Sequence, residues 1–523
     1  MAEHAFTRED VINRLELALN KTLEDIDTEG IFEKFKDVKL QKGIAGTIIE
    51  QCVFEYPPDT KQEPDLVIDG VKTELKTTGM LIDNNPTKHY VAKEKLSVTA
   101  VSIHKLSEQE FDTSHFWTKL EHLLFVYYLY LRKRNEKITP VEYKPFSVKG
   151  YQFYEFTEDE KAALKADWEN VHSLVSDITS RLPGERNKEW KEKVKKEYIE
   201  RHGEIRKKGL NVVDLAPTYP PRFQLKSSFV STIIAKHFGE DLEQLPGKYK
   251  YLNDVNEKCH ELAQQYKGMT LEEIATSLGV TINGDGDKNV AEQVLVKMFG
   301  GNSKKLNRIE IFQRFGITAK TVVVTPTGAM TEDTKMYHVD FDEFMETEIE
   351  DIDEDDNVII RKKEYEDSEL YTYFETGEFL CILFEEPAAE YYTDSTTGKR
   401  KKKKIPLKYN KFLGFKRIFF SDEILNSVVK NLWVDTRDKI GNKTLVDEPT
   451  MRKGQQLVLK NGELSSAPNF MKSSENGVYI KGGANDSSSK NKTECVNDIK
   501  MLPQYVWLNR GFMSERLAEA DYI

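Results

Sequence analysis

The sequence has no run of about 18 uncharged apolar residues, so no segment of it can cross a bilayer as a helix. Its first residues, MAEHAFTRED, lack the basic-then-apolar order of a secretory signal. The compartment expected is therefore the cytoplasm, with no membrane partner. Cysteine is scarce: Cys52, Cys259, Cys381 and Cys495 are far apart, and no CxxC pair occurs. That spacing argues against a zinc knuckle or a disulfide framework and predicts reduced thiols. Positive charge is also short, at 76 Lys and Arg against 88 Asp and Glu, a net charge of −12. A uniformly basic nucleic-acid coat is excluded. Local patches are not, because charge is clustered: residues 346–357 (ETEIEDIDEDDN) are acidic and residues 398–411 (GKRKKKKIPLKYNK) basic. Both runs read most simply as solvated loops, and the basic one could also touch phosphates.

What is present is enough apolar residue for globular domains, 39% of a chain of 523 residues, which is too long for one core. The chain also resembles itself. DVINRLELALNKTLEDI (10–26) is matched by DVNEKCHELAQQYKGMTLEEI (254–274), and KGIAGTIIEQCVF (42–54) by KNVAEQVLVKMF (288–299). GVKTELKT (70–77) is matched by FGITAKTV (315–322), and SHFWTKLEHLLFVYYL (114–129) by SELYTYFETGEFLCILF (368–384). GYQFYEFTEDE (150–160) pairs with GFKRIFFSDEI (414–424), and RFQLKSSF (222–229) with YVWLNRGF (505–512). Each match is weak, but all of them occur in one order. The expectation is two tandem copies of one fold, residues 1–240 and 250–523.

The coarse pattern in the first copy is a helix carrying Val11, Ile12, Leu15, Leu17 and Leu19, then a helix near 42–56 with Ile44, Ile48 and Ile49 on one side. Short strands follow at 65–69, 72–78 and 96–102, then a helix near 114–122 and a strand at 123–130. Thr157 and the acids after it predict a capped helix over 157–180. Residues 186–208 predict a charged helix ending in a basic loop. Mixed strands and helices give an α/β, mixed α+β fold with a helix-flanked central sheet.

The chemistry concentrates in PDLVIDGVKTELKTTG (64–79). Glu74 and Lys76 are two apart, so on a strand they share a face. If the segment is a hairpin, Asp65 approaches Glu74. Two adjacent carboxylates resist burial unless a cation joins them, and a hard divalent ion, Mg²⁺ above all, suits oxygen ligands. Lys76 beside that ion could hold a water and offset phosphate charge, which is apparatus for phosphodiester hydrolysis. A charged surface hairpin is the bland alternative, since Glu-x-Lys recurs at Glu142–Lys144 and Glu189–Lys191. Glu50, on the small-residue helix KGIAGTIIE, favours the site reading. In the second copy Thr318 and Lys320 stand for Glu74 and Lys76, Val296 for Glu50, and only Glu310 lies near the place of Asp65. The expectation is a retained fold with its metal chemistry lost.

KGIAGTIIE followed by PDLVIDGVKTELKT resembles the mismatch-repair nicking endonuclease MutH and the GATC-cutting restriction endonucleases related to it, members of the PD-(D/E)xK superfamily. FDTSHFWTKL (111–120), TEDEKAALKADWENV (157–171), RHGEIRKK (201–208) and PRFQLKSSFVSTIIAKHF (221–238) extend the resemblance across the first copy. It implies a restriction-endonuclease-like fold, Asp65 and Glu74 as metal-binding acids, Lys76 as the catalytic lysine and Glu50 as a supporting acid. It implies Lys119 as a further lysine near the scissile phosphate, preceded by His115. Arg206 and Lys208 correspond to a loop that reads GATC from the major groove, where such donors suit guanine, and Lys226 to a phosphate or base contact. The Asp-to-Glu spacing is longer than in MutH, and Lys207 stands where the family loop can carry proline. In the second copy Tyr373 and Glu369 replace Lys119 and His115, while Asn509 and Arg510 could meet DNA or belong to a packed strand anchored by Trp507. The tandem arrangement resembles the two-domain GATC type II restriction enzymes, in which a second domain binds another site and promotes dimerisation on DNA.

Three functions follow. One is a Mg²⁺-dependent type II restriction endonuclease cutting double-stranded DNA at GATC, dimeric on its palindrome and accompanied by a cognate methyltransferase. The second is a strand-nicking repair nuclease that depends on a partner. The third is a non-catalytic DNA-binding regulator, suggested by MTLEEIATSLGV (269–280), which has the look of half a helix-turn-helix with Gly279 at the turn.

Overall fold

A computed structural model describes residues 5–523 except 38–42, 57–63, 84–87, 133, 135–137, 183, 185, 217–218, 283, 285–287, 353–357, 394–397, 399, 404, 453 and 485. The acidic run 346–357 and the basic run 398–411 thus lie partly outside the described residues.

The stretch 64–79 is a hairpin. Strand β2 (Leu66–Ile68), which lies beside the short β1 (Ala5–Phe6), is joined to β3 (Val71–Asp83) by Asp69 and Gly70 alone. Both turn residues have positive φ, 49° and 83°, the geometry that matches the right-handed twist of flanking strands and that Asp-Gly adopts readily. Strand β3 is long enough to pair β4 (His89–Ala92) at its far end. The chain then passes through β5 (Leu96–Ala100) to β6 (Leu123–Leu129), which pairs in parallel with β3 and antiparallel with β7 (Val148–Tyr154). The result is a six-stranded mixed sheet; β5 joins β8 (Val213–Leu215) and β9 (Arg222–Leu225) in a small antiparallel sheet.

Alternation along these strands fills two layers. Leu75, Leu124 and Val126 pack with Val11, Leu15, Ile44 and Ile48 from the helices Arg8–Ala18 and Ile44–Ile48. Leu123, Phe125 and Tyr127 face Leu164, Trp168, Phe229 and Ile233 from Glu158–Arg181 and Ser227–His237. Thr157 caps the first of these with a reciprocal Glu160 bond, as its sequence predicts. The mixed α+β architecture with a helix-flanked sheet stands as expected.

Several local expectations change. Leu17 is 70% exposed rather than part of the helix's buried stripe, because only Val11, Leu15 and Ala18 lie on the inward face. The helix near 42–56 passes from α (Ile44–Ile48) into π geometry (Ile49–Val53). The helix near 114–122 shrinks to a 3₁₀ turn, Phe111–Thr113, and His115–Thr118. The basic loop at the end of 186–208 is itself helical: Lys188–Arg201 is followed by Gly203–Lys208, which carries Arg206 and Lys208.

In the C-terminal half, strand Ile317–Val324 pairs in parallel with Glu378–Glu385, which pairs antiparallel with Lys411–Ile418. This repeats the parallel-then-antiparallel order of β3, β6 and β7. The register separates two of the internal sequence matches. Lys76 lies beside Phe125, whereas Phe379, as far from its capping Ser368 as Phe125 is from Ser114, lies beside Thr318 and not Lys320. On that count Gly316 stands where Glu74 does. Glu310, the nearest acid to the place of Asp65, begins the helix Glu310–Phe315 and faces Lys236 at 3.3 Å and Arg314 at 3.6 Å. MTLEEIATSLGV forms the helix Leu271–Ser277, with Leu271, Ile274 and Ala275 in the core.

The halves share one apolar core, in which Phe229 and Ile233 are continuous with Val255, Phe312 and Phe315. The Ser228 side chain lies so close to the Gly316 backbone that a Cβ on Gly316, at φ 70°, would be 2.9 Å from Ser228 Oγ. A polar relay crosses the same junction. Asp167, 1% exposed, accepts from the backbone N–H groups of Asn211, Val212 and Val213 at 2.7–2.9 Å and from the Asn211 side chain. Asn211 Oδ1 in turn accepts from Leu252 N at 2.7 Å, the first residue of the helix Leu252–Tyr266.

Candidate active site

The hairpin delivers Asp65 to the edge of β3, where its Oδ2 accepts from Leu75 N at 2.9 Å. Glu74 follows at the first β3 position paired with β6. There, 2% exposed, its Oε1 accepts from Lys76 Nζ at 2.8 Å and from Lys119 Nζ at 3.1 Å. Lys76 shares its face by the two-residue period of the strand. Lys119 arrives by another route: Ser114 caps the helix His115–Thr118, and Lys119 closes it just before β6 begins. Glu50, on the π turn Ile49–Val53, adds its field at Lys76; such turns often mark functional positions. The structure thus brings Asp65, Glu74, Lys76, Lys119 and Glu50 together.

The electrostatics follow from burial against pairing. Burial alone would raise the Glu74 carboxyl, but the Lys76 and Lys119 ammoniums outweigh it and hold Glu74 below its usual value. Burial would likewise pull Lys76 down, yet Glu74, then Asp65 and Glu50, keep it above its ordinary value. Asp65 goes the other way: burial, then the Glu74 charge beside it, push its carboxyl up. The second oxygen of Glu74 is buried with no hydrogen-bond partner, which normally costs a desolvation penalty.

These features fit a divalent cation. The buried Glu74 and the half-buried Asp65 repel each other, and one Glu74 oxygen has no hydrogen-bond donor. Among the described residues no group of three or more His, Cys, Asp or Glu forms a ready cage for a metal. Asp65 and Glu74 would therefore hold the ion with water or phosphate oxygens completing its shell, as suits a hard ion that keeps several waters.

The remaining candidates are placed differently. His115 Nδ1 lies 2.9 Å from Thr99 Oγ1, at the wall of a cavity of about 380 Å³ bounded also by Trp190, Tyr219 and Phe223. Arg206, whose side chain is 10% exposed, pairs with Glu375 at 3.5 Å and with Asp422 across the junction. Lys226 is buried: its Nζ donates to Leu210 O at 2.5 Å, with Glu378 4.0 Å away, and burial draws its pKa down to about 8. Asn509 spends its side chain capping the helix Arg510–Glu519, accepting from Gly511 N at 2.7 Å. Lys208 and Arg510 are exposed.

Sequence reasoning missed Asp167, whose signal was a carboxylate on the apolar face of Glu158–Arg181 beside Leu164 and Trp168. It also missed the Asp69–Gly70 turn, a hairpin signal in plain view.

Residues 54–167 match the family described as MutH, DNA mismatch repair enzyme MutH. Across 549 residues, covering 99% of each chain, the sequence is 22% identical to the type II restriction enzyme Sau3AI of Staphylococcus aureus. The family segment holds Asp65, Glu74, Lys76, His115 and Lys119. Glu50 lies just before it, and Arg206, Lys208, Lys226, Asn509 and Arg510 lie beyond.

Proposed function

We propose that this chain, one of the MutH-related DNA endonucleases, is a type II restriction enzyme that cuts double-stranded DNA at GATC with Mg²⁺. The observation that carries the reading is Glu74, buried between Lys76 and Lys119 with one oxygen unpartnered and Asp65 beside it. When bound, a divalent cation would supply Lewis-acid polarisation of the scissile phosphate and a more acidic water. Asp65 and Glu74 hold that ion. Lys76, anchored on Glu74, orients the attacking water and keeps the carboxylate ionised. Lys119, on the same oxygen from the opposite element, presents positive charge to the phosphate. Glu50 maintains the charge on Lys76.

Residues 250–523 are, on this reading, a second domain of the same fold without the acids, which binds a further DNA site. The repeated strand order supports it, as does Gly316 or Thr318 where Glu74 would stand. One complete constellation per chain implies that two chains, dimeric on a palindrome, make a double-strand cut. A methyltransferase of matching specificity would protect the host. Base reading by Arg206 requires its contacts with Glu375 and Asp422 to open; Lys208, Asn509 and Arg510 are the other DNA contacts proposed, with His115 and Lys226.

The test is digestion of plasmids with and without GATC, in Mg²⁺ and in EDTA, by the parent, Glu74→Gln and Lys76→Ala chains. Linear product confined to GATC plasmid and Mg²⁺, and lost by about a hundredfold or more in both variants, supports the reading. Open circles alone would indicate a strand-nicking repair nuclease, and binding without cleavage a regulator.

A further inference from the structure

Between the strands Glu378–Glu385 and Lys411–Ile418 the chain leaves the sheet and forms a two-stranded ribbon, Tyr391–Thr393 with Arg400–Lys402. A ribbon of that size is marginal in water by itself. None of its described residues belongs to an apolar core. Its chemistry is nonetheless concentrated: residues 398–411 hold eight Lys or Arg and no Asp or Glu, in a chain of net charge −12. Three tyrosines accompany them in the open, Tyr391 at 53%, Tyr392 at 50% and Tyr409 at 44% exposure. The Arg400 guanidinium lies 4.4 Å over the Tyr391 ring and the Lys408 ammonium 5.0 Å from the Tyr409 ring.

Among the described residues, the anions that meet Lys403 and Lys408 face solvent. Lys403 meets Glu390 at 2.8 Å, the two side chains 62% and 66% exposed. Lys408 meets Glu272 at 3.1 Å. Contacts of that kind are readily exchanged.

We infer that this ribbon is a phosphate-binding arm that grips duplex DNA outside the cut site without reading its sequence. The inference rests on the nuclease reading above and adds a surface to it. Arg400 on the ribbon, Lys403 just past its end and Lys408 on the turn Leu407–Tyr409 that follows offer cations to a backbone that carries one charge per about 1.7 Å of duplex axis. Glu390 and Glu272 act as place-holders that phosphate displaces.

The experiment uses the full chain and a fluorescent duplex lacking GATC, titrated over a range of KCl concentrations. The triple variant Arg400→Ser, Lys403→Ser, Lys408→Ser removes three phosphate contacts. It should therefore lower the slope of log K against log[salt] by about two to three. Its single-turnover cleavage of a GATC duplex at saturating enzyme and low salt should match the parent. Glu390→Gln, which removes a competing anion, should tighten binding to the same duplex, an effect no purely structural role produces. An unchanged slope in the triple variant, or no tightening in Glu390→Gln, overturns the arm while parental cleavage leaves the nuclease reading standing. A parent that neither binds nor cuts DNA overturns both.

Discussion

A carboxylate as deeply buried as Glu74 keeps its charge only because two ammoniums share one of its oxygens. Removing it leaves Lys76 and Lys119 facing each other with a weaker acceptor. Glu74→Gln should therefore lower stability by about 1–3 kcal/mol as well as abolish cleavage, and thermal melts beside plasmid assays separate the two effects. Asp65→Asn should behave oppositely in stability. Asp65 is held above its ordinary pKa by burial and by Glu74, so the folded chain binds that proton more tightly than the unfolded one. Its contribution to stability is thus present at low pH and is lost as pH rises from the ordinary carboxylate value through the raised one. The asparagine variant should melt higher than the parent at neutral pH without metal, and lose cleavage. On the role proposed for it, Asp65 holds the metal only when ionised, so the acid limb of the cleavage–pH profile should lie above the ordinary aspartate range; a limb within that range would count against that role.

Elements inherit their reliability from how local their causes are. The hairpin and the strand that carries Glu74 and Lys76 were legible because period-two alternation and the Glu74–Lys76 spacing are contained within a few residues. The same holds for the capped helix Glu158–Arg181, whose box Thr157–Glu160 is written in its first turn. The turn that sets the hairpin predicts its own test. Gly70 has φ 83°, so Gly70→Val should cost about 1–2 kcal/mol and reduce cleavage by misplacing Asp65, while the isolated metal-free melt reports the strain. What was not legible has distant causes. Nothing in EIRKKG (204–209) announces that Arg206 meets Glu375 and Asp422, or that the segment continues as a helix. Asp167 is similar: its acceptors serve Asn211–Val213, which the sequence near 167 does not mention. Asp167→Ala strands the buried Val212 and Val213 N–H groups and the partly buried one of Asn211 and should destabilise the chain by about 3 kcal/mol or more, lowering the protection of the Asn211–Val213 amides in hydrogen exchange.

At the scale of the whole chain the halves are joined by apolar contact and by charge. Lys236 reaches Glu160 at 3.6 Å and Glu310 at 3.3 Å, and a cavity of about 190 Å³ between the halves is lined by Arg206, Lys226, Glu375, Glu378 and Arg417. Internal sequence similarity suggested two halves; it said nothing of this junction, because partners that face each other across it need share no pattern. Lys226 makes the junction measurable. Burial lowers its pKa from 10.5 to about 8, so between those values the folded chain binds fewer protons than the unfolded one. Stability from this group therefore rises with pH across that window, and Lys226→Met should remove the rise and melt higher than the parent at pH 7. If DNA draws the halves apart and wets Lys226, the ammonium regains an ordinary pKa and the complex takes up a proton above pH 8. Calorimetric titration with duplex at pH about 8.5, in buffers of different ionisation enthalpy, reads that proton directly. Proton uptake in the parent and its absence in Lys226→Met is the expected result; equal uptake in both would show that DNA does not wet Lys226.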